Sequence, residues 1–101
     1  MPCQIVWQSD AVRDLARLRR FIYSENQTAA ERAIRRIKKG IALLAENPEA
    51  GKPALEVFPF RDLVLPHGAG SYILRYRLDG EVVVIVRIRH SKEGNYSRHH
   101  D

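Results

Sequence analysis

Cysteine is almost missing. Cys3 is the only one in 101 residues, so no intrachain disulfide can form. A reducing compartment is the expected setting. Cys3 falls in a predicted first strand and reads as a small core residue rather than a nucleophile. Long apolar runs are missing too. None exceeds the length of Val82 to Val86, far shorter than the roughly 20 residues a membrane helix needs. The opening "MPCQIVWQSD" has neither a basic start nor a long apolar stretch. No secretory leader is expected, and the predicted location is the cytoplasm. There is no CxxC, HExxH or GxSxG and no glycine-rich phosphate loop. The ending "SRHHD" brings together His99, His100 and Asp101. Adjacent histidines at a chain end rarely build a specific metal site. No metal and no cofactor are expected.

What is present is charge. Seventeen Lys and Arg face twelve Asp and Glu, for a net charge of +5 and a pI near 9.8. That balance favours an acidic partner such as a phosphate backbone or an acidic protein. Apolar residues make up 45% and charged residues 29%, an ordinary globular composition. The length suits one domain, residues 1–101.

Cys3 to Trp7 reads as a strand. Ser9 is the expected N-cap of a first helix, with Asp10 favourable in its first turn. Ala11, Leu15, Leu18 and Ile22 share one helical face, and the helix should end near Ser24 to Gln27. Thr28 and Glu31 have the spacing of a capping box for a second helix. Its stripe is Ala30, Ile34, Ile37, Ile41 and Leu44, and Asn47-Pro48 stops it. A short link predicts an antiparallel helical hairpin. The cations of both helices read as a solvated face. "NPEAGKPA" reads as loop. Strands then follow over Phe60–Leu65, Tyr72–Leu78 and Glu81–His90.

The final hairpin needs a register. A two-residue turn at Asp79-Gly80 would pair even positions with odd ones and set Tyr72 against Arg87. A three-residue loop, Leu78-Asp79-Gly80, pairs even with even and sets Arg77 opposite Glu81. That register is expected, because a slip by one would bury arginines. One sheet face is then Tyr72, Leu74, Tyr76, Leu78 with Val82, Val84, Val86 and Ile88. The other carries Arg75, Arg77, Arg87 and Arg89 among Ile73, Val83 and Ile85. The expected architecture is α+β, an N-terminal strand, a helical hairpin and a three-stranded antiparallel meander. The helices pack on one face of a four-stranded sheet and leave the basic face uncovered. Arginines there suit phosphate or carboxylate recognition. His90 and Lys92 follow the last strand, where a histidine can act as base or as hydrogen-bond donor to phosphate. Tyr96 can stack on a base or cap the core edge.

The pieces "DAVRDLARLRRFIYSEN", "TAAERAIRRI", "LAENPEAGKP", "FRDLVL", "SYILRYRL" and "VVVIVRIRHSKE" stand in an order that spans nearly the whole chain. Together they resemble the RelE/ParE superfamily of type II toxin–antitoxin toxins. The resemblance implies growth arrest, plasmid stabilization and a cognate, ParD-like antitoxin. RelE-like members cut mRNA in the ribosomal A site with basic residues on the open sheet face. ParE-like members poison DNA gyrase by binding. Ile73 stands where a RelE-like enzyme has a catalytic arginine, and Asp62 and Val64 stand where it shows lysines. The "IRHSKE" ending looks more like ParE. A ParE-like gyrase inhibitor without bond chemistry is therefore the first expectation, with Arg61, Arg87, Arg89, His90 and Lys92 as target contacts. Arg75, Arg77 and Arg87 are expected to meet the antitoxin, whose complex would set the oligomeric state. A RelE-like ribosome-dependent mRNA endonuclease using Arg89, His90, Lys92 and Tyr96 is the alternative. A small basic nucleic-acid-binding protein is the alternative from another class. No membrane association is expected.

Overall fold

Asn26 is the whole link between the two helices. In the computed structural model, which describes residues 2–54 and 57–98, the first helix α1 (Ser9–Glu25) ends there and α2 (Gln27–Glu46) begins. Asn26 is extended, and its side chain accepts a hydrogen bond from Ala29 N at 3.0 Å, closing the start of α2. The expected capping box therefore does not form: Thr28 lies inside the helix, two residues past the N-cap. Ser9 is likewise inside α1, and Gln8 is its uncapped N-cap. Both helices keep the predicted apolar stripe, and Ala11, Leu18, Ala30, Ile37, Ile41 and Leu44 are buried.

The stripes cover one face of a mixed sheet in the order β1-β5-β4-β3-β2. The strands are β1 (Gln4–Trp7), β2 (Lys52–Pro53), β3 (Arg61–His67), β4 (Gly70–Asp79) and β5 (Val82–His90), with a 3-10 turn over Ser91–Glu93. Five strands replace the expected four, because Lys52-Pro53, read as loop, pairs with Asp62 and Arg61. Proline is tolerated there because β2 is the sheet edge. β3 runs on through Pro66 to His67 for the same reason: the short β2 leaves that side of it open. β1 joins β5 in parallel, so Ile5 and Trp7 lie beside Val83 and Ile85.

The β4–β5 hairpin corrects the expected register throughout and keeps its parity in one half. Asp79 pairs with Val82 across a two-residue loop, Gly80-Glu81. Gly80, at φ 60°, supplies the positive φ that a type II′ turn needs at its first position. Near the turn, even therefore pairs with odd, and Arg77 lies opposite Val84 rather than Glu81. Val83 and Ile85 consequently join the core, contrary to the expected faces. The register shifts between Arg75 and Tyr76, where Val86 is an extra residue. Beyond this bulge even pairs with even, and Arg75 lies opposite Arg87 and Ile73 opposite Arg89. The bulge reverses which side of β5 faces the helices. It lets one strand bury Val83, Ile85 and Ile88 and still keep Arg87 and Arg89 out of the core. Among the described residues, no helix is long and apolar enough to cross a membrane.

Candidate functional site

The outward side of β3, β4 and β5 carries the predicted arginines, but most are already neutralised. Arg75 donates from Nε and Nη2 to the two oxygens of Asp62, at 2.9 and 3.0 Å. Such a fork-to-carboxylate pair is among the strongest neutral-pH contacts a side chain makes. The Asp62 bond raises the Arg75 pKa above its usual value. Arg77 has a looser 3.7 Å contact with Asp79.

Arg87 is held from the helical layer. Asp14 of α1 is fully buried. It accepts from Arg87 Nε at 2.7 Å and Nη2 at 3.1 Å, and from the Ile88 backbone N at 2.9 Å. β1 pairs with β5 only as far as Ile85, so the Ile88 N–H has no strand partner on that edge. The carboxylate takes the place of one. The Asp14 bond raises the Arg87 pKa. The motif was readable in part: Asp14 sits three residues after Ala11 and four before Leu18, inside the apolar stripe.

Contrary to the sequence expectation, the basic face is not left bare. After the 3-10 turn, Gly94 at φ 78° turns the chain, and Tyr96 and Ser97 lie against the arginines. Arg87 Nη2 donates to the Ser97 carbonyl. The Tyr96 ring lies 4.9, 5.2 and 5.4 Å from the guanidinium carbons of Arg75, Arg87 and Arg89. These are cation–π distances. The phenol oxygen is buried without a hydrogen bond of good geometry. Burial, with a smaller push from Asp62, raises its pKa to about 12 against the pull of Arg75 and Arg89. Beside Tyr96 lies an open cleft of about 770 Å³, bordered by Lys52, Val57, Asp62, Val64 and Arg89. Arg89 has no carboxylate partner among the described residues. Its side chain makes a long 3.4 Å contact to the His90 carbonyl.

His90 belongs to the other side of the sheet. It pairs with Tyr72, whose buried ring it meets edge-on at 5.2 Å and 81°. Its Nδ1 accepts from Lys92 N at 3.1 Å, and its own N donates to Glu93 at 2.8 Å. Glu93 in turn pairs with Arg17 of α1 at 2.8 Å, fixing the turn to the helix. His90 and Lys92 thus border an apolar groove of about 480 Å³ with Leu18, Phe21 and Tyr72. Gly70 packs against this histidine: a Cβ there would lie 2.6 Å from Cε1 of the ring.

The predicted residues therefore fall into separate places. Arg75, Arg87, Arg89 and Tyr96 come together on the outward face. His90 and Lys92 come together in the groove under α1. Arg61 joins neither: it points to the helical side and donates to the Gly51 carbonyl at 2.8 Å, securing the exit from α2. Among the described residues, no three His, Cys, Asp or Glu side chains cluster as metal ligands. His99, His100 and Asp101 lie outside the described residues.

Comparison with known proteins adds the family. Residues 5–94 match the family described as "ParE toxin of type II toxin-antitoxin system, parDE". The chain is 40% identical to Toxin RelE3 of Caulobacter vibrioides over 83 residues, 82% of this chain and 88% of that one. It is 38% identical to Toxin RelE2 of the same organism, over 87% of this chain and 94% of that one. A solved structure from the chromosomal ParDE system of P. aeruginosa superposes with a TM-score of 0.70 at 26% identity, covering 85% of this chain and 92% of that one. A chain of the RelBE2 complex from Mycobacterium tuberculosis has the same fold, with a TM-score of 0.59 at 24% identity over 89% of this chain and 99% of that one.

Proposed function

This chain belongs to the ParE toxin family of type II toxin–antitoxin systems, and we propose that it arrests growth in the cytoplasm by binding DNA gyrase, without bond chemistry of its own. The observation that carries the reading is the division of the candidate nuclease residues. Cleaving RNA needs a base for the 2′-hydroxyl, a cation for the phosphorane and an acid for the leaving oxygen, all around one phosphate. Here Arg89 and Tyr96 lie on one side of the sheet and His90 and Lys92 on the other. Arg75 and Arg87 are committed to Asp62 and Asp14. Ile73 and Val64 can neither take nor give a proton.

What remains suits docking. Arg89 and Lys92 are cations without a carboxylate partner among the described residues, at the two sides of one strand end. The groove beside Lys92 adds apolar area, including Phe21, which is 70% exposed. A charged anchor beside an apolar one is how protein partners are held.

The cognate antitoxin is expected to lay an acidic segment across the outward face. Of Arg75, Arg77 and Arg87, Arg77 has the most capacity left, because its contact with Asp79 is long and the aspartate exposed.

A second reading, a ribosome-dependent mRNA endonuclease, is favoured by the RelE names of the relatives. One experiment separates the two: purified toxin in a gyrase supercoiling assay and, in parallel, in mRNA cleavage on programmed ribosomes. Lost supercoiling with intact mRNA is expected. Cut mRNA with normal supercoiling overturns the gyrase reading.

A further inference from the structure

The net positive charge does not reside where the fold displays its arginines. On the sheet, Arg75, Arg77 and Arg87 are each answered by an aspartate. Arg13 and Arg17 of α1 are answered by Asp10, Asp14 and Glu93, which leaves Arg19 and Arg20 exposed on that helix. On α2 the balance differs. Arg32, Arg35, Arg36, Lys38 and Lys39 stand against Glu31 and Glu46 in the same helix. Arg36 is drawn to the Pro66 carbonyl at 3.0 Å. Arg32, Arg35, Lys38 and Lys39 are exposed and have no carboxylate partner among the described residues.

Arg32, Arg35 and Lys39 follow the i, i+3, i+7 spacing, which sets them along one ridge. With Ala33, Ile37 and Leu44 buried, that ridge points directly away from the core. It is about 10 Å long, from seven residues at a rise of about 1.5 Å. No apolar side chain is exposed between Arg32 and Lys39, and Leu43, a turn beyond Lys39, is the single exposed large apolar side chain on α2. A protein partner would want aromatic or aliphatic anchors among the charges, and a membrane surface would want an apolar face beside them. A phosphate backbone wants only cations at intervals, and arginine matches a phosphate with two parallel hydrogen bonds.

We infer that the Arg32–Arg35–Lys39 ridge is a second binding surface, separate from both faces of the sheet end, and that it grips the backbone of duplex DNA without reading sequence. The choice of duplex DNA over RNA rests on the gyrase reading, since gyrase works on a DNA segment that a bound toxin would lie beside. The ridge makes the contact by charge alone, so its binding is salt-dependent and indifferent to base order.

The test is fluorescence anisotropy of the full chain with a labelled mixed-sequence duplex. Three phosphate contacts give a slope of log K against log salt near −2.7, and a loss of about 40-fold between about 50 and 200 mM salt. The triple variant Arg32→Gln, Arg35→Gln, Lys39→Gln should lose at least that much of the slope, with helix content unchanged by circular dichroism. Arg13→Gln, on α1 where Arg13 is paired with Asp10, should bind duplex as the parent does. Should the triple variant fold poorly, Arg35→Glu alone must weaken binding and Arg35→Lys must retain it. Parent-like binding by the folded ridge variants overturns the inference, as does equal loss in Arg13→Gln or tighter binding of duplex RNA than of DNA. Gyrase inhibition is measured on the same samples. Inhibition without duplex binding sinks this surface alone, and duplex binding without inhibition sinks the gyrase reading alone.

Discussion

Asp14 and Arg87, seventy-three residues apart, form a two-bond clasp between the first helix and the last strand. The aspartate is wholly buried, and the arginine side chain is 22% exposed. A third bond, from Ile88 N, means that the same carboxylate also finishes the sheet edge. Removing one partner of a buried pair leaves the other stranded, which costs about 3–5 kcal/mol. Arg87 can turn partly to water, so Asp14→Leu should cost about 3 kcal/mol, near the low end of that range. Adding Arg87→Met to it should recover part of the loss. Urea unfolding of both variants checks this, and a cost below about 1 kcal/mol for Asp14→Leu would remove the clasp from the list of what holds the fold.

The clasp also marks where sequence reading stopped. Periodicity located both helices, the N-terminal strand and the meander, because the apolar stripes of α1 and α2 are nearly unbroken. It could not see that Asp14, one polar residue within a stripe, is there by purpose. It missed β2, since Lys52-Pro53 has no alternation to read in two residues. The hairpin was ambiguous for a physical reason: Val82 to Val86 is apolar on both sides, so parity carries no signal until Arg87. Both parities are present, joined at Val86, but neither expected register is, because the turn falls at Gly80-Glu81. The assumption that candidate residues close in sequence share a site failed at Arg89 and His90, because neighbours on a strand point to opposite faces.

That opposition gives a prediction about toxicity. Alanine at His90 or Lys92 alters the groove side only. It should reduce growth arrest by roughly tenfold or more, the equivalent of about 1.4 kcal/mol of target binding. Antitoxin affinity should stay within about twofold, because the acidic segment is proposed to lie on the other face. Plating after induction, beside calorimetric titration with the antitoxin, reads both. Equal loss of toxicity and antitoxin affinity would mean that target and antitoxin share one surface.

The loop leaving α2 is fixed by Tyr76. Its hydroxyl donates to the Pro48 carbonyl at 2.7 Å and accepts from Gly51 N at 2.9 Å. The ring presses so closely on Gly51 that an added Cβ would meet ring carbon and hydroxyl at 2.7 Å and the Asp62 carbonyl at 3.0 Å. Tyr76 is fully buried and cannot give way cheaply. Gly51→Ala should therefore destabilise by about 1–3 kcal/mol, the usual cost of overpacking. Tyr76→Phe, which leaves a buried N–H and a half-buried carbonyl without their partner, should cost about 1–3 kcal/mol as well. Since both changes damage one contact, the double variant should fall short of the sum in thermal or urea unfolding. Simple additivity would show that the two sites are independent.

Tyr96 makes a prediction at alkaline pH. Its phenol ionises near 10.0 when unperturbed and near 12 in the folded chain, chiefly because burial disfavours the phenolate. Between these values the folded state holds a proton that the unfolded state has released. Stability from this group is therefore complete below pH 10 and is lost as pH climbs toward 12. Absorbance at the phenolate band should show a tyrosine that is still protonated at about pH 11 and that disappears in Tyr96→Phe. Burial also raises Tyr72 and Tyr76, so the assignment rests on the difference between parent and variant. Stability measured by urea across the same interval should fall less steeply in Tyr96→Phe than in the parent. Identical slopes would mean that the ring does not remain seated over Arg75, Arg87 and Arg89 in solution, and that the outward face is open there.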